Sequence, residues 1–157
     1  MNLQNEVLSL PKVDLPIDRC EEILDREEFG YLGMSRGGQP YCIPVNFVYS
    51  RGRIYIHTGL KGLKWEFLAE NPRVCFTVSV PGAKRTGESP CHYTYEFESV
   101  IVFGTASKLE DPDSLEYLNR LIDKYRTAPV LPVPEEKLAK LLLIKIDIEE
   151  ISGRQNL

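Results

Sequence analysis

Between Ile17 and Phe29 the apolar residues recur every three or four positions, and from Gly30 onward they alternate with polar ones. The two periods then trade places along the chain. IDRCEEILDREEF predicts a first helix, with Ile23, Leu24 and Phe29 facing inward. Asp18, three residues before Glu21, supplies an acidic version of a capping box. GYLGMS predicts a short strand, RGGQ a turn, PYCIPVNFVYS a second strand, SRGR a hairpin turn and RIYIH a third strand. Pro44 removes a ladder donor from the second strand, which puts that strand at an edge or bulges it there.

KGLKWEFLAEN restores the helical period, with Leu60, Leu63, Phe67 and Leu68 on one face, and Pro72 ends it. RVCFTVSV is a strand, PGAKRTGESPCHY a loop, and YEFESVIVFGTASKLE a long strand with a bend or bulge at Gly104. DPDSLEYLNRLIDKYR predicts an amphipathic helix in which Leu115, Leu118, Ile122 and Tyr125 share a face, capped by Asp113 with Glu116. TAPVLPVPEE reads as a rigid linker into a short helix opening at Pro134, and LLLIKIDIEEISG as a last alternating strand. Six strands with helices inserted between hairpins, and no internal repeat, predict a mainly β (α+β) fold: an antiparallel barrel decorated by helices. Short turns between the early strands rule against a parallel βαβ sheet.

Composition narrows the class without altering this layout. The 157 residues suffice for one domain, expected to span 1–157 with residues 1–16 as an N-terminal arm. Hydrophobic residues make up 43% and charged residues 27%, the proportions of a soluble globular protein. The net charge is −4 and no segment concentrates Lys and Arg, so nucleic acid is not an expected partner. MNLQNEVLSLPKVDLP lacks the basic start and apolar core of a secretory leader. No apolar run approaches the roughly 20 residues of a spanning helix, so no membrane partner is expected. Cys20, Cys42, Cys75 and Cys91 are widely spaced and form no CxxC pair, as reduced thiols of a cytoplasmic protein would be. Cys91-His92 offers two adjacent metal ligands, too few for a closed site.

Chemistry concentrates at one junction, IYIHTGLKGLKWEFLAENP, residues 54–72. A strand ends on His57, one of two histidines, and gives way to glycines, lysines and a helix. A helix N-terminus offers unpaired N–H groups and partial positive charge; glycines admit a ligand to the backbone. Lys61 and Lys64, one helical turn apart, could reach the same anion. A tight turn with solvated lysines explains the same letters. The stretch is not a P-loop, because GLKGLK lacks the Gly-Lys-Ser/Thr ending. Trp65 is expected to serve packing, within the chain or at a subunit contact.

Three segments together, PYCIPVNFVYSRGRIYIHTGLKGLKWEFLAENPRVCFTV, FESVIVFGTASKLED and IDIEEISG, resemble the FMN-binding split-barrel superfamily named for pyridoxamine 5'-phosphate oxidase. Among its branches the chain is most similar to the nitroimidazole-resistance (Nim-type) proteins, and the likeness runs from Ile17 to Gly153. The resemblance implies a six-stranded antiparallel split β-barrel with flanking helices. It implies FMN as cofactor, with Lys64 on the phosphate and Thr58, Gly59 and Lys61 nearby. Ile43, Pro44, Val45 and Asn46 match the strand along the isoalloxazine. Ser99 and Val100 match a strand contributed by the partner of a homodimer, and His57 a histidine near flavin and substrate, the candidate catalytic residue.

The ending ISGRQNL shows no Arg-x-His element of the kind that grips pyridoxamine phosphate, so that activity is not expected. The implied function is a flavin-dependent oxidoreductase acting on a small molecule, such as a nitroimidazole nitro group. A non-catalytic FMN carrier and a haem-binding protein on the same scaffold are the alternatives. A symmetric dimer with two FMN sites at its interface is expected, with Val100 and Val102 facing the partner if Ile101 and Phe103 point inward.

Overall fold

Two pairs of positive-φ residues fold the first half of the chain. Gly37 with Gly38, and Arg51 with Gly52, hold the left-handed backbone that closes two-residue hairpins. The computed structural model describes residues 13–109, 114–129, 134 and 141–156. The first turn joins β2 (Phe29–Arg36) to β3 (Gln39–Asn46), and the second joins β4 (Val48–Ser50) to β5 (Arg53–Gly59). Before them come β1 (Val13–Asp14) and helix α1 (Ile17–Arg26). After them come α2 (Leu63–Glu70), β6 (Arg73–Arg85), a 3₁₀ turn at Pro90–His92, β7 (Thr94–Leu109), α3 (Ser114–Tyr125) and β8 (Leu141–Asn156).

The fold is mainly β, as expected, and the strands pair antiparallel. They form one eight-stranded sheet in the order β3-β2-β6-β7-β8-β5-β4, with β1 added to β8. The sheet does not close on itself: β3 and β4, the ends of the path, are not hydrogen-bonded to each other. β3 is therefore an edge strand, which is how Pro44 is tolerated. Eight strands replace the expected six for two reasons. The expected second strand breaks at Phe47, whose side chain is fully buried and whose N–H goes to the Tyr125 hydroxyl. The two-residue β1 is too short to show alternation.

A main core runs through the sheet interior, with Phe47, Ile54, Ile56, Phe76, Val100 and Ile144 among its members, and α1 covers it with Ile23 and Leu24. A second, smaller cluster of Val48, Tyr55, Leu109, Tyr117, Leu121 and Leu143 lies under α3. At Gly30 an added Cβ would lie 2.1 Å from the Phe76 ring, so the glycine makes room for the core. Gly104 marks a register shift between β7 and β8, as expected.

Several expectations need correction. Pro16 precedes α1 with no side-chain cap bond, because Asp18 already lies in the first turn. Phe29 begins β2 on the solvent side and is 62% exposed. Leu60 precedes α2, and Leu60, Leu63 and Leu115 are all exposed. The first five residues of the expected loop after Val80 are strand, since β6 continues to Arg85 opposite Thr94. The parity of β7 is the reverse of the expected one: Val100 and Val102 are core, while Ile101 and Phe103 are 39% and 43% exposed. Asp113 and the helix expected after Pro134 lie outside the described residues.

Candidate functional site

The strand-to-helix junction is built by three residues. β5 ends at Gly59, Gly62 turns the chain with φ +136°, and α2 begins at Leu63. Trp65 fixes the corner by donating its indole N–H to the Gly59 carbonyl at 2.7 Å, and its backbone N–H goes to Gly62 at 3.0 Å. Trp65 thus ties the helix to the strand it follows. Gly62 as N-cap provides no side-chain cap bond, so no side chain claims the first-turn N–H groups of α2.

Beside this corner lies a cavity of about 600 Å³. One wall is β3, from Ile43 to Asn46; the other is α3, with Leu118, Leu121, Ile122 and Tyr125; His57 and Lys64 are the remaining described residues of the lining. β3 is the end of the sheet path, so backbone groups on its free edge have no strand partner. The walls are mostly aliphatic, and among the described residues the polar side chains are few: an amide, an imidazole, an ammonium and a phenol. Burial pushes the Lys64 ammonium below its usual value. Burial, then the Lys64 charge, pushes His57 below 6.5, so its ring is neutral at pH 7. An anion placed between them would reverse both trends.

α3 is fastened by side chains. Tyr117 stacks on Tyr55 with centroids 3.6 Å apart, and Arg120 donates to the Ser50 hydroxyl at 3.1 Å. Lys124 sits 4.5 Å over the Phe47 ring. The Tyr125 hydroxyl accepts the Phe47 N–H at 2.9 Å and donates to the Glu28 carbonyl. Burial holds its phenol above the ordinary value, so it stays protonated.

Six of the expected site residues, Ile43, Pro44, Val45, Asn46, His57 and Lys64, line this one cavity. Thr58 is buried beside it, with its hydroxyl 3.4 Å from the Gly59 carbonyl. Lys61 precedes α2 and is exposed, so it does not share a helical face with Lys64. Ser99 and Val100 lie on β7, three strands along the sheet from β3, and the Val100 side chain is in the core. The α3 residues were not foreseen. Their helical period marks an apolar face, but nothing local shows that part of it borders a cavity. Among the described residues no cluster of three or more His, Cys, Asp or Glu side chains could hold a metal. The Cys91 side chain lies outside the described residues. No helix among the described residues is long and apolar enough to cross a membrane.

A family model described as pyridoxamine 5'-phosphate oxidase matches residues 16–155. Solved structures share the architecture. A candidate 5-nitroimidazole antibiotic resistance protein of Bacteroides thetaiotaomicron superposes with TM-score 0.79 at 24% identity, covering 92% of this chain and 87% of that one. An FAD and haem binding protein of Mycobacterium smegmatis gives 0.81 at 21%, covering 92% and 73%. An FAD-binding protein of Mesorhizobium loti gives 0.67 at 25%, covering 92% and 98%.

Proposed function

The chain belongs to the pyridoxamine 5'-phosphate oxidase family, and from that premise we propose that it binds a flavin in the cavity between β3 and α3 and uses it to reduce a small molecule. The observation that carries this reading is the meeting of an unpaired strand edge, two aliphatic walls and one cationic end in a single cavity. A flavin needs those three things: polar partners along a ring edge, apolar surface for its faces and an anchor for its phosphate. When bound, it supplies the electron carrier.

In this reading Lys64 holds the phosphate, with the turn at Thr58, Gly59 and Lys61 beside it. The free backbone of Ile43 to Asn46 bonds the ring edge. His57, neutral at pH 7, offers a hydrogen bond to substrate at the flavin. Lys64 is the single cation among the described residues lining the cavity. One anchor among the described lining residues suits FMN, whose single phosphate needs one. A nitroimidazole is the first substrate to try, given the likeness to the Bacteroides protein. The FAD-binding neighbours make FAD the competing flavin, and the mycobacterial neighbour makes haem the competing cofactor.

The chain works here as one split-barrel domain and as a symmetric homodimer, with Ser99 and the backbone at Val100 of a second copy beside each cavity, since the Val100 side chain is buried in its own core. Phe29, Tyr31, Ile101 and Phe103 support this arrangement. They are all exposed and share the outer face of β2, β6 and β7, since Tyr31 and Ile101 both pair with Thr77. A second copy would cover them at about 25 cal/mol per Å².

An absorption spectrum of the purified protein separates flavin from haem. Bleaching by NADH or NADPH and reoxidation by a nitroimidazole separate a reductase from a carrier. Lys64→Ala is expected to weaken FMN binding roughly tenfold to a hundredfold, from a charge-assisted contact of ~1.5–3 kcal/mol. Unchanged affinity by fluorescence titration removes Lys64 from the site, and a monomer by light scattering that still holds FMN tightly ends the shared-site model.

A further inference from the structure

The polypeptide between β3 and β4 has lost its strand partner, and a side chain from a distant helix replaces it. Phe47 is the residue at that break, and its N–H is taken by the Tyr125 hydroxyl at 2.9 Å. The hydroxyl has one proton, which it gives to the carbonyl of Glu28, just before β2; the Phe47 carbonyl, at 3.0 Å, is its alternative acceptor. One oxygen thus joins the start of β2, the end of β3 and the last turn of α3. The ring carrying that oxygen lines the cavity. The other polar and stacking fastenings of α3, Tyr117 on Tyr55 and Arg120 on Ser50, lie one to two turns nearer its N-terminus. At the C-terminal turn Tyr125 is backed by Lys124 on the Phe47 ring and by the Lys124 ammonium, 3.5 Å from the Leu24 carbonyl.

We infer that Tyr125 is the positioning residue that sets the separation between α3 and β3, and thereby decides which ligands the cavity grips. The inference rests on the flavin reading for the ligand, though not on any substrate. With the hydroxyl bonded, Leu118, Leu121 and Ile122 stand at a fixed distance from Ile43 and Val45, a slot suited to a flat aromatic ring. Without it the last turn of α3 keeps only Lys124 and the packing of the ring on the cluster under α3, and the slot slackens. The anion end is built separately, from β5 and α2, and does not depend on Tyr125.

That separation supplies the test. Tyr125→Phe keeps the ring and removes the oxygen. It is expected to weaken FMN about tenfold, the equivalent of one lost hydrogen bond, while the affinity for inorganic phosphate, read by competition or calorimetry, stays as in the wild type. In the apoprotein, hydrogen exchange should accelerate at the Phe47 amide and through the last turn of α3, with β6 and β7 unchanged. Equal weakening of FMN and phosphate would mean general destabilisation and overturn the inference, as would unchanged FMN affinity or unchanged exchange at Phe47. If the wild type binds no FMN at all, the flavin reading fails, and the exchange data alone decide whether Tyr125 positions the helix. Tyr125→Leu, read by the same exchange experiment, serves if the phenylalanine variant does not fold.

Discussion

β3 and α3 face each other across one cavity, yet different kinds of bond hold them. β3 is paired with β2 along its whole length, from Asn46 opposite Phe29 to Gln39 opposite Arg36. Those bonds are made by backbone and depend little on which side chains are present. α3 makes no ladder; it rests on the small cluster around Tyr55 and Leu143 and on the side chains of Tyr117, Arg120, Lys124 and Tyr125. One wall is therefore fixed by the fold itself and the other by a handful of residues. Change in the ligand is accommodated most readily on the second.

Substitutions should separate the walls. The largest effect is expected behind β3. Gly30 pairs with Val45, and Gly30→Val would drive a side chain into Phe76, which packs edge-on against Phe47 with ring centroids 4.9 Å apart. Overpacking of this kind costs roughly 3 kcal/mol, so the urea midpoint and flavin affinity should fall together. A stable Gly30→Val variant that binds normally would show that the β3 wall yields as easily as the other. Leu121→Ala comes next, at about 2–3 kcal/mol for a buried leucine. Its damage should stay local: exchange should quicken in α3 while β6, β7 and β8 remain protected. Uniform acceleration would make the two walls one cooperative unit.

Smaller effects lie at the cationic end, between the walls. His57 titrates below 6.5 in the folded chain, so the unfolded chain takes up its proton first as pH falls. The stability this contributes is complete above the unfolded value and is lost as pH drops through the folded one. Wild-type apoprotein should thus lose stability between neutral and mildly acid pH more steeply than His57→Gln, which parallel unfolding curves would reveal; identical slopes would place His57 in ordinary solvent. Lys61→Ala should change FMN affinity less than about twofold, as an exposed charge does. A loss matching that of Lys64→Ala would make Lys61 a second anchor of the phosphate it lies beside.

The same contrast explains what could be read from the letters. The β3 wall was legible because alternation, Pro44 and the Gly37-Gly38 turn are local signals. The corner was legible only as a strand giving way to a helix: the spacing places Leu60 and Gly62 in that helix, which begins at Leu63. The family likeness then assigned Lys64 and His57 to one ligand, and both line the cavity that β3 borders. The second wall was hidden, since bringing residues 118–125 against residues 43–46 is decided by stacking and by a hydroxyl spanning 78 positions of sequence. The parity of β7 was misjudged for a related reason. Val100, Ile101, Val102 and Phe103 are all apolar, so alternation is silent there, and only the register with β6 and β8 sets which pair turns inward.

The order of strands in the sheet also bears on when the site can exist. β5, which carries His57, meets the rest of the sheet through β8, since its other neighbour, β4, is the end of the path. β8 is the last of the described strands to leave the ribosome, and it carries none of the described residues that line the cavity. Every described lining residue is therefore synthesised before the strand that locks β5 into place. Long-range pairing of that sort is slow and comes late in folding. A nascent chain paused before Leu141 would hold the described lining side chains of the cavity and no stable site, so the ligand should be captured only after translation has passed β8.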